Sequence, residues 1–488
     1  MTRTNVLALL TIASLTGCAR LTPEQQVVND AASALGGRDR ILAVKTLVVE
    51  GGGTQYNLGQ DITPGASGQT FTVTAYRRAI DMTGSRARTE LTRTPNFVYF
   101  QGTAAQKQVA GIDGTVGYNV APTGTATRVT DAAAKDRQAE MFHNPLTAVR
   151  AALDPMATLA HFRTEGNESL VDVTTSAGQT LTLAIDSATK LPNRVLTMTD
   201  NTNLGDVAIE TSFGDYQDVG GLKLATRLTT KTGDFTTAEI RVVTQAIDGD
   251  TGELSAPADA AKAPAISGLA PATVAVEEVG KGVWLLAGGS HNSVLVEFSD
   301  HLMLIEAPLN DTRALAVIAK ARELRPGKPL TQVVNSHHHF DHSGGLRAAI
   351  AEGLTVITHQ GNAALYQEIA NRPHTIVPDA LAKNPKPLMV DAVGDEKVIT
   401  DGMNTVNLYS LSGPHSETTL VAYLPRQRLL VEADLYNPGS AVQAFTPTFV
   451  PELKKHNLRI DRVVPLHGKV VPYAQFMKEA TPAVTTTK

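Results

Sequence analysis

The sequence predicts an α/β protein with a β-rich domain over residues 18–248, a linker over 249–271 and a second, layered domain over 272–488. Three observations carry that prediction. Apolar and polar residues alternate with period two through much of the first stretch, as in strands with one buried face. The run GELSAPADAAKAPAISGLAPA then interrupts the pattern with Ala and Pro. Beyond it, short apolar runs alternate with a helical pattern, the texture of a layered sheet. The 488 residues, 42% hydrophobic and 19% charged, have globular composition and suffice for two or three cores at roughly 150 residues each. A net charge of −5 with no basic run argues against a nucleic-acid partner. A single cysteine excludes an internal disulfide framework.

The first residues, MTRTNVLALLTIASLTGCAR, combine Arg3, a short apolar core from Val6 to Leu15, and Leu15-Thr16-Gly17-Cys18. The apolar core is too short to span a bilayer and suits a cleaved signal over residues 1–17. Its last four residues resemble the lipobox of bacterial lipoproteins. The resemblance implies lipidation of Cys18, a membrane tether and a periplasmic location. Ala19, where an Asp would retain such proteins at the inner membrane, favours the outer membrane.

Thr22-Pro23-Glu24-Gln25 opens a helix with a capping box, and Gly36-Gly37 closes it. Strand patterns follow. Leu181, Leu183 and Ile185 alternate with polar or small residues, as do Val207, Ile209, Thr211 and Phe213. Leu222, Leu224 and Leu228 repeat the pattern, and Lys231-Thr232-Gly233-Asp234 reads as a hairpin turn. A helical stretch is expected over Pro145 to Phe162. His143 and His161 have no partner at ligand spacing and read as ordinary core or surface residues. The rhythm from Leu183 to Leu228 resembles the half-barrel domains of periplasmic lipoprotein carriers, which implies a concave face able to hold an apolar ligand. A filled core acting as a spacer is the other reading of this half.

In the second half, Trp284–Ala287, Ser293–Phe298 and His301–Glu306 read as strands. Asp311 is placed to cap a helix carrying Leu315, Ile318, Ala321 and Leu324, and Leu330–Asn335 is a further buried strand. His337-His338-His339-Phe340-Asp341-His342 follows it directly, with Ser343-Gly344-Gly345 behind. In an extended segment His337 and His339 point the same way and can grip one ion. Asp341 and His342 fall where the chain turns and can reach a second. Burying so many imidazoles together is costly unless something coordinates them. The run Gly51-Gly52-Gly53 lacks a following Lys-Ser/Thr and is no phosphate loop.

His-x-His-x-Asp-His after a buried strand resembles the signature of the metallo-β-lactamase fold, an αββα sandwich. The resemblance implies that His337, His339 and His415 hold one ion, that Asp341, His342 and His467 hold another, and that Asp434 bridges them. His338 occupies the variable position and faces away. Zinc suits this donor set, with iron or manganese as alternatives. Glu306 stands where the family usually has an Asp behind the ligands, and Ser416-Glu417-Thr418 replaces the common Thr-Pro-Gly after His415. His359, Tyr436 and His291 are candidate substrate contacts near the mouth.

Two such ions lower the pKa of a shared water toward about 7, and Asp341 would orient that nucleophile and collect its proton. The expected activity is therefore hydrolysis of an ester, lactone, thioester or related small molecule. True zinc β-lactamases generally lack the bridging Asp, so Asp434 tilts the expectation away from lactams, which remain an alternative substrate. The reading from a different class is a lipophilic-ligand carrier with the metal domain as scaffold.

Overall fold

A computed structural model of the chain describes residues 20–97, 102–439 and 446–480. Cys18 and the signal stretch lie outside the described residues. Among them, three sheets account for the strands.

The first sheet has 13 strands, all paired antiparallel with their neighbours. From Thr46–Tyr56 to Ala126–Arg128 each strand pairs outward with the next. Helices Asp131–Glu140 and Pro145–Ala152 cross over, and the strands return from Thr158–Glu165 to Phe235–Ile247, which pairs with the first. This path follows from hairpin chemistry, since the turns at Gly114, Gly166, Gly178 and Gly233 have positive φ. Helices Pro23–Leu35 and Pro145–Ala152 bury Val28, Leu35, Leu146 and Val149 against Val171, Leu183, Val195 and Leu224. The Thr22–Gln25 capping box forms as expected.

Two local expectations change. The helix expected over Pro145 to Phe162 ends at Ala152, and Thr158–Glu165 is the edge strand instead. Asp154 and Pro155 break the helix, because proline offers no N–H to continue it. The Ala/Pro-rich stretch is strapped to the first sheet. Leu254 is buried with Val48 and Ala79, and Ala260 with Tyr118 and Ala126.

The C-terminal part is an αββα sandwich. A seven-stranded sheet from Ala275–Gly280 to Val390–Val393 faces a six-stranded sheet from Glu396–Thr400 to Val471–Pro472. Val283, Val294, Ile305, Val406, Leu429 and Val464 fill the space between the sheets. Helices Asp311–Leu324 and Leu346–Ala351 cover the outer face of one sheet, and Thr446–Lys455 with Tyr473–Ala480 cover the other. The helix expected to be capped by Asp311 is capped by Asn310, whose side chain accepts from Arg313 N. Asp311 instead accepts from Ala380 N. Where the central strands of the two sheets end, their following loops converge on one spot.

Candidate metal centre

Each loop at that spot delivers one or more ligand-type side chains. Strand Leu302–Ile305 ends in Glu306, and Leu330–Val334 runs into the His337–His342 segment. His415 follows Thr405–Leu411, Asp434 follows Leu429–Glu432, and His467 follows Arg462–Pro465. Glu306 and Asp434 take left-handed backbone conformations, φ 76° and 63°, which non-glycine residues rarely adopt. Such strain concentrates where a side chain must be aimed.

The side chains form two adjoining groups. His337, His339, His415 and Asp434 offer ligand atoms all within 4.8 Å of one another, and so do His291, Asp341, His342 and His467. Asp434 joins the groups. Its Oδ2 lies 3.0 Å from His415 Nε2, 3.5 Å from His337 Nε2 and 3.2 Å from His342 Nε2, while Oδ1 lies 2.5 Å from His467 Nε2.

Hydrogen bonds on the far side of the imidazoles fix which nitrogen faces inward. His467 Nδ1 donates to the Ser290 carbonyl at 3.0 Å, leaving a lone pair on Nε2. His342 Nδ1 donates to Glu306 Oε2 at 2.8 Å. Ser336 Oγ gives its proton to Glu306 Oε2 at 2.6 Å, so it accepts from His337 Nδ1 at 3.0 Å. His339 is reversed: its Nε2 donates to the Asp61 carbonyl at 2.9 Å. That leaves His339 Nδ1 buried with no hydrogen-bond partner among the described residues. A buried, unpaired imidazole lone pair inside a ring of others is what a divalent ion would satisfy. The residues present therefore fit a metal.

Charge supports the same reading. Burial pushes His337 and His339 well below the ordinary imidazole value, so both are neutral and able to ligate. Burial opposes ionisation of Asp434, but the His342 and His467 imidazoles hold its carboxyl well below the usual range. His342 goes the other way. Against burial, Asp434 and Asp341 raise it, so a proton must leave when metal enters.

Glu306 is fully buried and accepts from Ser336 N, Ser336 Oγ, Asn335 Nδ2 and His342 Nδ1. The longer side chain thus still reaches the imidazole behind which the family's Asp would stand. His338 lies outside both groups and bonds to Thr418 Oγ1 and the Asp61 carbonyl.

The three candidate substrate contacts separate. His291 is not at the mouth but inside the second group, its Nε2 3.1 Å from Asp341 Oδ2 and its Nδ1 on Ser290 Oγ. The buried Arg313 donates to the His291 carbonyl and holds that turn. Tyr436 is buried in the helical layer, its hydroxyl bonded to Glu479, and it belongs to neither group. The turn that accepts at Glu432 carries it away from Asp434. His359 caps the 3₁₀ turn at Gly361 and joins neither group.

Sequence reasoning missed Gln60 and Asp61, which reach the centre from the first sheet. Gln60 Nε2 donates to Asp341 Oδ1 at 2.7 Å. No local pattern marks them, because their partners lie 277 to 281 residues away.

Residues 286–430 match the family model of the metallo-beta-lactamase superfamily. Similar solved structures include a metallo-beta-lactamase from Pontibacter korlensis, at 19% identity over 42% of this chain and 96% of that one, with TM-score 0.35. Another is the metallo-beta-lactamase from Hirschia baltica, at 18% over 42% and 96%, with TM-score 0.34. The mono-zinc FIM-1 enzyme from Pseudomonas aeruginosa is similar at 18% over 42% and 93%, with TM-score 0.34. No curated protein matches the chain.

Proposed function

We propose, from the superfamily match over residues 286–430 and the two groups of ligand atoms, that this chain is a dinuclear metal-dependent hydrolase. The observation that carries the reading is Asp434, whose two carboxylate oxygens meet imidazoles of both groups. His337, His339 and His415 would hold one ion, Asp341, His342 and His467 the other, and Asp434 both. Zinc fits this set of imidazoles and carboxylates. When bound, the ions would activate a water near neutral pH and polarise the substrate oxygen.

The chain's own residues do the rest. Asp341 stands at the exposed side of the centre, with its side chain 34% accessible, and is placed to orient the attacking water and take up its proton. Glu306, Ser336 and the Ser290 carbonyl keep the imidazoles aimed inward. The substrate class is an ester, lactone, thioester or similar small molecule. Export and a lipid tether at Cys18 belong to the same proposal, supported by Leu15-Thr16-Gly17-Cys18.

The test is a panel of lactones, thioesters, phosphodiesters and lactams with zinc-loaded protein, its chelated form and Asp341→Asn. Turnover of at least one class that chelation and Asp341→Asn both abolish supports the proposal. Turnover surviving chelation contradicts it. Fractionation of cells expressing Cys18→Ser tests the tether, since the variant should leave the membrane fraction.

A carrier role rests on a different observation, a cavity of about 490 Å³ in the N-terminal part, lined by Leu42, Ile80, Met82, Met141 and Phe142. Mass spectrometry of the purified chain tests it: a co-purifying lipophilic molecule would support that role.

A further inference from the structure

The hairpin Thr46–Tyr56/Thr70–Asp81 of the first sheet is joined by residues 57–69, which leave that sheet and lie across the metal-binding loops. Phe340 N donates to the Gly59 carbonyl at 3.1 Å, and Glu417 N to the Ile62 carbonyl at 3.0 Å. His338 and His339 both donate Nε2–H to the Asp61 carbonyl at 2.9 Å. Residues 57–69 thus touch both the His337–His342 segment and the segment after His415. The close approach needs glycine at 59, where φ is +72° and a Cβ would come within 2.2 Å of the Phe340 ring. Phe340 and Leu58 pack together on Leu204, Val207 and Phe235 of the first sheet. Asn203 Nδ2 adds a bond to Ser343 Oγ, which itself donates to the carbonyls of His338 and His339.

The two oxygens of Asp341 are divided between the halves of the molecule. Oδ2 meets His291 Nε2 at 3.1 Å and lies 4.0 Å from His342 Nε2, facing the second group. Oδ1 is occupied by Gln60 Nε2 at 2.7 Å. We propose that Gln60 is a positioning residue of the metal centre: its amide fixes the rotation of the Asp341 carboxylate so that Oδ2 is presented to the second ion. The Asp61 carbonyl does the matching service for the first ion, holding the hydrogen of His339 on Nε2 and its lone pair on Nδ1. The β-rich part thereby supplies outer support for both ions. This inference rests on the dinuclear reading.

Stepwise Co²⁺ titration of the full chain, followed by visible absorption and by metal analysis, separates the two ions. Gln60→Ala should weaken one of the two binding steps by about 10–100-fold and leave the other unchanged, because outer hydrogen bonds to ligands have that weight. Gly59→Val, which pushes the whole loop off Phe340, should weaken both steps. Thermal unfolding of the apo proteins checks that each variant is folded, and Gln60→Ala alone decides if Gly59→Val is not. Both steps in Gln60→Ala equal to wild type, or equal losses in both, would overturn the proposal while leaving the dinuclear reading standing. Wild type that takes up one ion or none would overturn both.

Discussion

At the residue scale, the centre is decided by where each imidazole puts its hydrogen. A neutral imidazole has one donor and one acceptor, so a partner on the outer nitrogen sets the inner one as a ligand. Glu306 serves two imidazoles, His342 directly and His337 through Ser336. Glu306→Gln replaces an acceptor oxygen with a donor facing existing donors. Metal affinity of that variant should fall about 10–100-fold, measured by competition with a chromogenic chelator. His339→Ala should remove an ion and with it at least about 100-fold of turnover, whereas His338→Ala should retain both ions. The His-x-His-x-Asp-His cluster was legible because its residue types and spacing sit in six consecutive residues. Nearness in sequence to Asp434 does not bring Tyr436 into either group, because the chain turns at Asp434, φ 63°. The place of His291 in the second group is not legible for a similar reason: it depends on the remote Arg313, which holds its carbonyl.

At the scale of elements, strands with regular alternation were legible and breaks were harder. The end of the Pro145–Ala152 helix at Asp154-Pro155 was overrun because apolar residues continue beyond it, now at strand spacing. Residues 57–69 could not be read at all, since their contacts are mostly backbone carbonyls, which no side-chain pattern encodes. Strands Pro192–Asn201 and Gly205–Val219 meet the segment around His374 in another contact of remote residues. Asp206 accepts from Thr375 and Ile376 backbone N–H groups there, while Asp200 lies 3.5 Å from His374 Nδ1. Burial, with Asp206 and Asp379 nearby, lifts Asp200 from its ordinary 3.8 to about 6. A raised acid favours the folded state below its unfolded value, and that contribution is lost as pH climbs through the folded value. Wild-type stability should therefore decline between about pH 4 and pH 6 by a component absent from Asp200→Asn. Denaturant titrations of both proteins across that range check it, and parallel curves would refute it.

For the whole molecule, the β-rich part and the αββα sandwich meet at the loops that carry the two His/Asp groups, through Gly59, Gln60, Asp61 and Asn203. The domain order was readable from the change of texture near residue 250, but this junction was not. It depends on a 13-stranded sheet closing its chain path through the pairing of its first and last strands in chain order. An ion held only by the folded sandwich should stabilise it by about 4 kcal/mol at a thousandfold excess over its dissociation constant. Amide exchange should slow on zinc addition not only around His337–His342 but also in residues 57–69, which ride on the ligands.

Elemental analysis of the purified full chain tests the central claim most directly. Two zinc, iron or manganese ions per chain, one of them lost in Asp341→Ala, is the predicted result. No bound ion after zinc addition, or a single ion that Asp341→Ala leaves in place, would contradict it.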